Sequence, residues 1–85
     1  MTKEIIFPFN LTGRQAIYFT QNVQEALNHA IFLEKDNRRV NAKSLLGVLS
    51  LGITQGEKIQ VFCNNEEEYR VMEEIVEFIK KECDN

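Results

Sequence analysis

One histidine and two cysteines, Cys63 and Cys83, are all the imidazole and thiol in this 85-residue chain. That falls short of the four ligands of a structural zinc site, so no metal is expected. The cysteines lack C-x-x-C spacing and are expected to stay reduced. No apolar run approaches about 18 residues, which leaves no membrane-crossing helix to expect, and M-T-K-E-I-I-F-P-F lacks the basic-then-apolar layout of a signal peptide. A cytoplasmic location follows as the expectation. Basic charge is not in excess either: ten Lys and Arg against thirteen Asp and Glu give −3. Without a basic field, direct nucleic-acid binding is disfavoured. There is no Gly-rich phosphate loop and no convincing acid pair, so neither an enzyme nor a bound cofactor is expected.

What is present suits one globular domain over residues 1–85, with 44% hydrophobic residues and enough chain for a modest core. From Lys3 to Asn10, Ile5, Phe7 and Phe9 alternate with Glu4, Ile6 and Pro8, the pattern of a half-buried strand. Pro8, the only proline, cannot donate to a ladder and puts that strand at a sheet edge. Gly13 to Leu27 reads as a helix, with Ala16, Phe19, Val23, Ala26 and Leu27 at helical spacing and Thr12 with Gln15 as a capping box. His29 to Lys35 and Arg38 to Asn41 read as a hairpin across Asp36-Asn37. Lys58 to Asn64 alternates Ile59, Val61 and Cys63 against Lys58, Gln60 and Phe62 in a fourth strand. A last helix starts at a capping box of Asn65 and Glu68 and runs to about Cys83, with a stripe of Tyr69, Met72, Ile75, Val76 and Ile79. Its glutamates come first and its lysines last, as the helix dipole favours. The order β-α-β-β-α-β-α predicts an α+β two-layer domain, one sheet with helices on one face.

Val40 to Gly52, V-N-A-K-S-L-L-G-V-L-S-L-G, departs from ordinary folding code. Ser44 is a natural N-cap and Gly52 a natural stop, yet Leu45, Leu46, Val48, Leu49 and Leu51 nearly encircle the short helix between them. At least two of the five must pack into the core. The rest are candidates for docking a partner.

The segment N-A-K-S-L-L-G-V-L-S-L-G-I resembles the regulatory-serine segment of HPr, the histidine-containing phosphocarrier family of the sugar phosphotransferase system. The likeness continues through T-Q-G-E-K-I-Q-V. It implies an open-faced two-layer sandwich, a four-stranded antiparallel sheet with three helices on one face, and it implies that Ser44 is the serine phosphorylated by the family's ATP-dependent kinase. The family's carrier histidine sits in a segment resembling G-I-H-A-R-P-A, where this chain has N-L-T-G-R-Q-A, Asn10 to Ala16. Aligning on the arginine and alanine puts Thr12 at the histidine position, whereas counting back from Ser44 without a gap puts Gly13 there. Neither carries an imidazole, and a threonine phosphate ester is too stable to pass its phosphoryl group onward. Arg14 is either a remnant anion contact or a solvated first-turn residue. His29, expected at a strand end, is read as structural or solvent-exposed, and Cys63, expected to face inward, as inert.

By resemblance the chain is an HPr-like regulatory binding protein, similar in role to the Crh-type members that also lack the histidine. The implied partners are HPr kinase/phosphorylase and a LacI-type transcriptional regulator. That regulator would read Ser44, Lys43 and the apolar Leu45, Leu46 and Leu49, with Arg14 as a further contact. The alternatives are a working phosphocarrier of the sugar phosphotransferase system and an HPr fold used for an unrelated protein interaction. Ser44 also admits a plainer reading, as an N-cap and nothing more.

Overall fold

The computed structural model describes residues 1–83, so the last two residues of the expected domain lie outside it. Its elements are β1 (Thr2–Ile6), α1 (Gly13–Ala26), β2 (Phe32–Lys35), β3 (Arg38–Asn41), α2 (Leu45–Leu51), β4 (Lys58–Phe62) and α3 (Glu66–Cys83). The strands form one antiparallel sheet in the order β1-β4-β2-β3. This is the predicted α+β architecture, an open four-stranded sheet with three helices. β1 lies at an edge, as expected, although Pro8 falls beyond its last residue.

Register follows from side-chain alternation. Ile5 faces Ile59, and Val61 faces Leu33, and all four are buried. On the other face Glu4, Gln60, Glu34 and Arg39 line up across the four strands. A slip of one residue would exchange the two sets, so burial pins the pairing.

Ala16, Phe19 and Val23 of α1 and Met72, Ile75, Val76 and Ile79 of α3 complete the core. The fully buried Phe7 ring meets Phe9 and Phe19 edge-on, with centroids 5.9 and 5.8 Å away. Each such ring contributes about 1.5–3 kcal/mol relative to an exposed one. The β2–β3 hairpin turns on Asp36 and Asn37, both at positive φ (52° and 65°), the two-residue turn whose twist matches its strands.

Four local expectations are corrected. β2 begins at Phe32, not His29, because Phe32 is already opposite Asn41 and Phe62, the last residues of β3 and β4. Among the described residues from His29 to Ile31 only the Ile31 carbonyl is paired through the backbone, accepting from the Ala42 N–H at 2.7 Å just past the end of β3. The Thr12–Gln15 capping box does not form: Thr12 makes no side-chain cap bond, and the Gln15 amide points to Cys83 Sγ at 3.5 Å. Ala26 is exposed, and Leu27, in the extended residue after α1, is buried instead. The second box is displaced. Asn65 Oδ1 accepts from the Glu68 N–H at 2.9 Å, but the Glu68 carboxylate accepts from Asn64 N–H, one residue upstream, at 2.8 Å.

Candidate functional site

Asn41 sets up the site. Its side-chain oxygen accepts from the Lys43 N–H at 2.8 Å and its carbonyl from the Ser44 N–H at 2.9 Å. That turn delivers Ser44 in extended conformation to the start of α2, where its Oγ accepts from the Gly47 N–H at 3.1 Å. A Cβ at Gly47 would crowd its neighbours, lying 3.0 Å from the Val40 Cβ and 3.2 Å from the Ser44 Oγ. The helix stops at Gly52 in left-handed conformation (φ 59°, ψ 43°), the conformation glycine adopts without strain. Two cations serve the carbonyl end. Arg38 donates to the Ser50 carbonyl and hydroxyl, each at 2.9 Å, and Lys35 to the Gly52 carbonyl at 3.0 Å. They complement the negative pole of α2.

The five apolar residues of α2 divide. Val48 and Leu51 are buried and Leu45 packs partly against the core, while Leu46 is 81% and Leu49 38% exposed. Ser44 is exposed next to them. Lys43 is tied in through its backbone, its carbonyl accepting from Gln24 Nε2 of α1 at 2.8 Å.

The missing-histidine position lies elsewhere. Gln24, late in α1, meets the start of α2, whereas the Leu11 N–H just before α1 donates to the Ile53 carbonyl just after α2 at 2.9 Å. The two helices therefore run back along one another. About 18 Å of helix rise separates Thr12 from Gln24, so the serine and the position of the missing histidine are at opposite ends of α1. Thr12 and Gln15 line a hollow of about 360 Å³ with Lys80 and Cys83 of α3. Arg14 is exposed and lines a neighbouring hollow with Tyr18, Glu82 and Cys83. It belongs to the α1–α3 side and is not gathered with the leucines.

His29 follows the far end of α1 and does not approach Thr12. Its Nδ1 lies 3.0 Å from Glu68 Oε2. The Glu68 carboxyl is held below its ordinary range, first by the Asn64 N–H and then by His29, against the opposing effect of burial. Glu57 is likewise lowered, first by its hydrogen bond to Lys35 and then by Thr54. Burial raises the Cys63 thiol, consistent with an inert cysteine. Among the described residues no group of three or more His, Cys, Asp or Glu is placed to hold a metal ion, and no helix is long and apolar enough to cross a membrane.

Sequence reasoning missed three features: Cys83 beside Gln15, the His29–Glu68 pair and the Gln24–Lys43 bond. Their partners are 68, 39 and 19 residues apart. No local pattern encodes such distances.

Comparison with known proteins gives this geometry its context. Residues 2–81 match the family described as the PTS HPr component phosphorylation site. The chain is 37% identical over 79 residues to the HPr-like protein Crh of Halalkalibacterium halodurans, covering 93% of each, and 30% identical to Crh of Bacillus subtilis, covering 93% of this chain and 92% of that one. HPr-C-His of Thermoanaerobacter tengcongensis superposes with a TM-score of 0.79 at 29% identity, over 95% of this chain and 96% of that one. The swapped-dimer crystal structure of Bacillus subtilis Crh superposes with a TM-score of 0.66 at 29% identity, over 92% and 88%. The resemblance carried by the Ser44 segment therefore holds over nearly the whole chain, in sequence and in fold: this chain belongs to the PTS HPr family.

Proposed function

We propose that this chain is a regulatory HPr-like domain, read by a partner protein according to the phosphorylation state of Ser44, and that it does not relay phosphate through a histidine. The observation that carries the reading is a pairing. An exposed cap serine stands beside the outward-facing Leu46 and Leu49, while Thr12 and Gly13 offer no imidazole and the single histidine is bound to Glu68 at the other end of α1.

In the phosphorylation step the Ser44 hydroxyl gives its proton to a base of an HPr kinase/phosphorylase, its oxygen bonds to the γ-phosphorus of ATP, and the bond to the β-phosphate oxygen breaks to release ADP. The product adds about −1.5 to −2 charges at a helix N-terminus, where backbone N–H groups tolerate them. α2 is held at both ends by Ser44, Gly52, Arg38 and Lys35, so the modification changes the surface and not the fold. A LacI-type transcriptional regulator in the cytoplasm would then read the phosphate with Lys43, Leu46 and Leu49, while Leu45, expected among these contacts, packs against the core instead. Arg14 would serve as an outlying contact. The chain itself is a binding protein, neither an enzyme nor a DNA-binding one.

Intact-mass measurement after two incubations tests this. HPr kinase with ATP is expected to give one acid-stable phosphoryl adduct on Ser44, and Enzyme I with phosphoenolpyruvate none. An acid-labile adduct from Enzyme I would restore the carrier reading; no adduct in either tube would leave the fold serving another interaction.

A further inference from the structure

Among the described residues β1 pairs with one strand, β4, and its other edge carries no strand. Met1 and Cys63 exchange both backbone bonds, N–H of each to carbonyl of the other at 2.6 and 3.0 Å, and the Phe7 N–H donates to the Glu57 carbonyl at 3.0 Å. Alternation along an antiparallel ladder then assigns Met1, Lys3, Ile5 and Phe7 to β4 and turns the backbone groups of Thr2, Glu4 and Ile6 outward. One is taken, the Glu4 carbonyl, which accepts from the Tyr69 hydroxyl at 3.1 Å. Among the described residues the others have no backbone partner along about 16 Å of strand. Natural edges are usually blunted by lysine, proline or a bulge. Here Lys3 leans onto the Tyr69 ring and pairs with Glu66 at 3.3 Å, and Pro8 comes too late to guard the edge.

Alongside this edge, between β1 and α3, runs a groove of about 380 Å³ with Pro8, Val76 and Tyr69 in its wall and Glu4, Glu73 and Glu77 around it. Ile6, 56% exposed, borders it. Among the described residues none of the three carboxylates has a cationic partner. Pairing with a second copy through a two-fold axis would set these acids against their own counterparts. The edge therefore suits a chain of the opposite sign.

We propose that the outer edge of β1 and the β1–α3 groove dock an extended, basic segment of a partner protein by strand addition, with the lysines or arginines of its α3-facing side on Glu73 and Glu77 and the apolar residues of its other side beside Ile6. Main-chain bonds supply attachment and the acidic rim supplies selection. This surface flanks the sheet edge opposite to β3, against which α2 packs. It stands independently of the Ser44 reading and leaves room for both partners at once.

The test is an amide chemical-shift titration of the ¹⁵N-labelled chain with the probe peptide acetyl-KVKVKV-amide at low salt, and with acetyl-EVEVEV-amide as control. The expected result is shifts confined to Thr2, Glu4, Ile6 and the groove face of α3, produced by the basic peptide only and weakening as salt is added. The double variant Glu73→Lys, Glu77→Lys should lose at least about tenfold in affinity. Ile6→Pro, which removes an outward N–H and no ladder bond, should lose binding while the β4 amides keep their dispersion. Equal binding of the acidic peptide, shifts mapping elsewhere, no shift up to about 1 mM peptide, unchanged binding by the charge-reversed variant, or self-association through Thr2–Ile6 without peptide would each overturn the proposal. The charge-reversed variant decides even if Ile6→Pro does not fold.

Discussion

Ser44→Ala separates the structural role of the serine from the regulatory one proposed for it. Ser44 Oγ accepts one hydrogen bond, from Gly47 N–H at 3.1 Å, and it lies at the surface. Water therefore replaces part of what the alanine removes. N-cap replacements cost about 0.5–2 kcal/mol, and an exposed single-bond cap on a helix otherwise fixed by Gly52, Arg38 and Lys35 belongs near 1 kcal/mol. For a domain of this size that is a fall of about 4–8 °C in melting temperature. Ser44→Asp keeps an acceptor and places a negative charge where the dipole favours it, so it should recover most of the loss. The assay is a thermal melt of all three proteins at matched concentration, followed by partner binding under conditions where each is folded. A loss above about 2 kcal/mol in the alanine variant would show that Ser44 supports more than its cap, and binding defects could then not be assigned to a lost phosphate. An aspartate less stable than alanine would refute the claim that this helix end tolerates negative charge, and with it the argument that phosphorylation spares the fold.

Three further outcomes follow from other parts of the molecule. Glu68 and Glu57 have lowered carboxyl pKa values in the folded state, so their stabilisation is complete above the ordinary carboxylate range and disappears as pH falls through their folded values. Urea melts from about pH 6 to about pH 2 should show this acid limb flattened by Glu68→Gln, and an unchanged slope would discount the Asn64 and His29 contacts as its source. At Gly52 nothing lies within 4 Å of a built Cβ and φ is +59°, so Gly52→Ala should cost about 1 kcal/mol through backbone strain alone, and Gly52→Asn less; no loss in a denaturant titration would contradict the left-handed stop. Leu46→Ala, at 81% exposure, should change stability by less than about 0.5 kcal/mol yet weaken capture of the phosphorylated chain by its regulator, whereas Val48→Ala, fully buried, should cost about 2 kcal/mol; the reverse pattern would invert the assignment of the faces of α2.

What could be read from the sequence is what is encoded within a few residues. The two-residue period of Ile5, Phe7 and Phe9 and of Ile59, Val61 and Cys63 identified the buried side of β1 and β4 and of the residues that follow each strand. Asp36-Asn37 announced its turn, and Ser44 and Gly52 announced both ends of α2, because cap and turn chemistry are local. The errors arose where a distant group took over. Gln15 turns to Cys83 instead of Thr12, and the start of β2 is set by where β3 and β4 end.

α2 shows both limits in seven residues. Its excess of leucine was legible as too much apolar surface for a helix packed on one side, but composition alone does not divide that excess. The division follows from residues three apart sharing a helix face. Leu45, Val48 and Leu51 form one such row, and Leu46 and Leu49 form the next, turned about 100° around the axis. Val40 crowds Gly47, Gln24 of α1 holds the carbonyl of Lys43, and Arg38 holds the last turn. These three contacts fix the rotation of the helix, so the first row enters the core and the second stays outside beside Ser44. A single rotation thereby sets the core packing and brings the serine and the outward leucines together on the surface proposed for the regulatory partner.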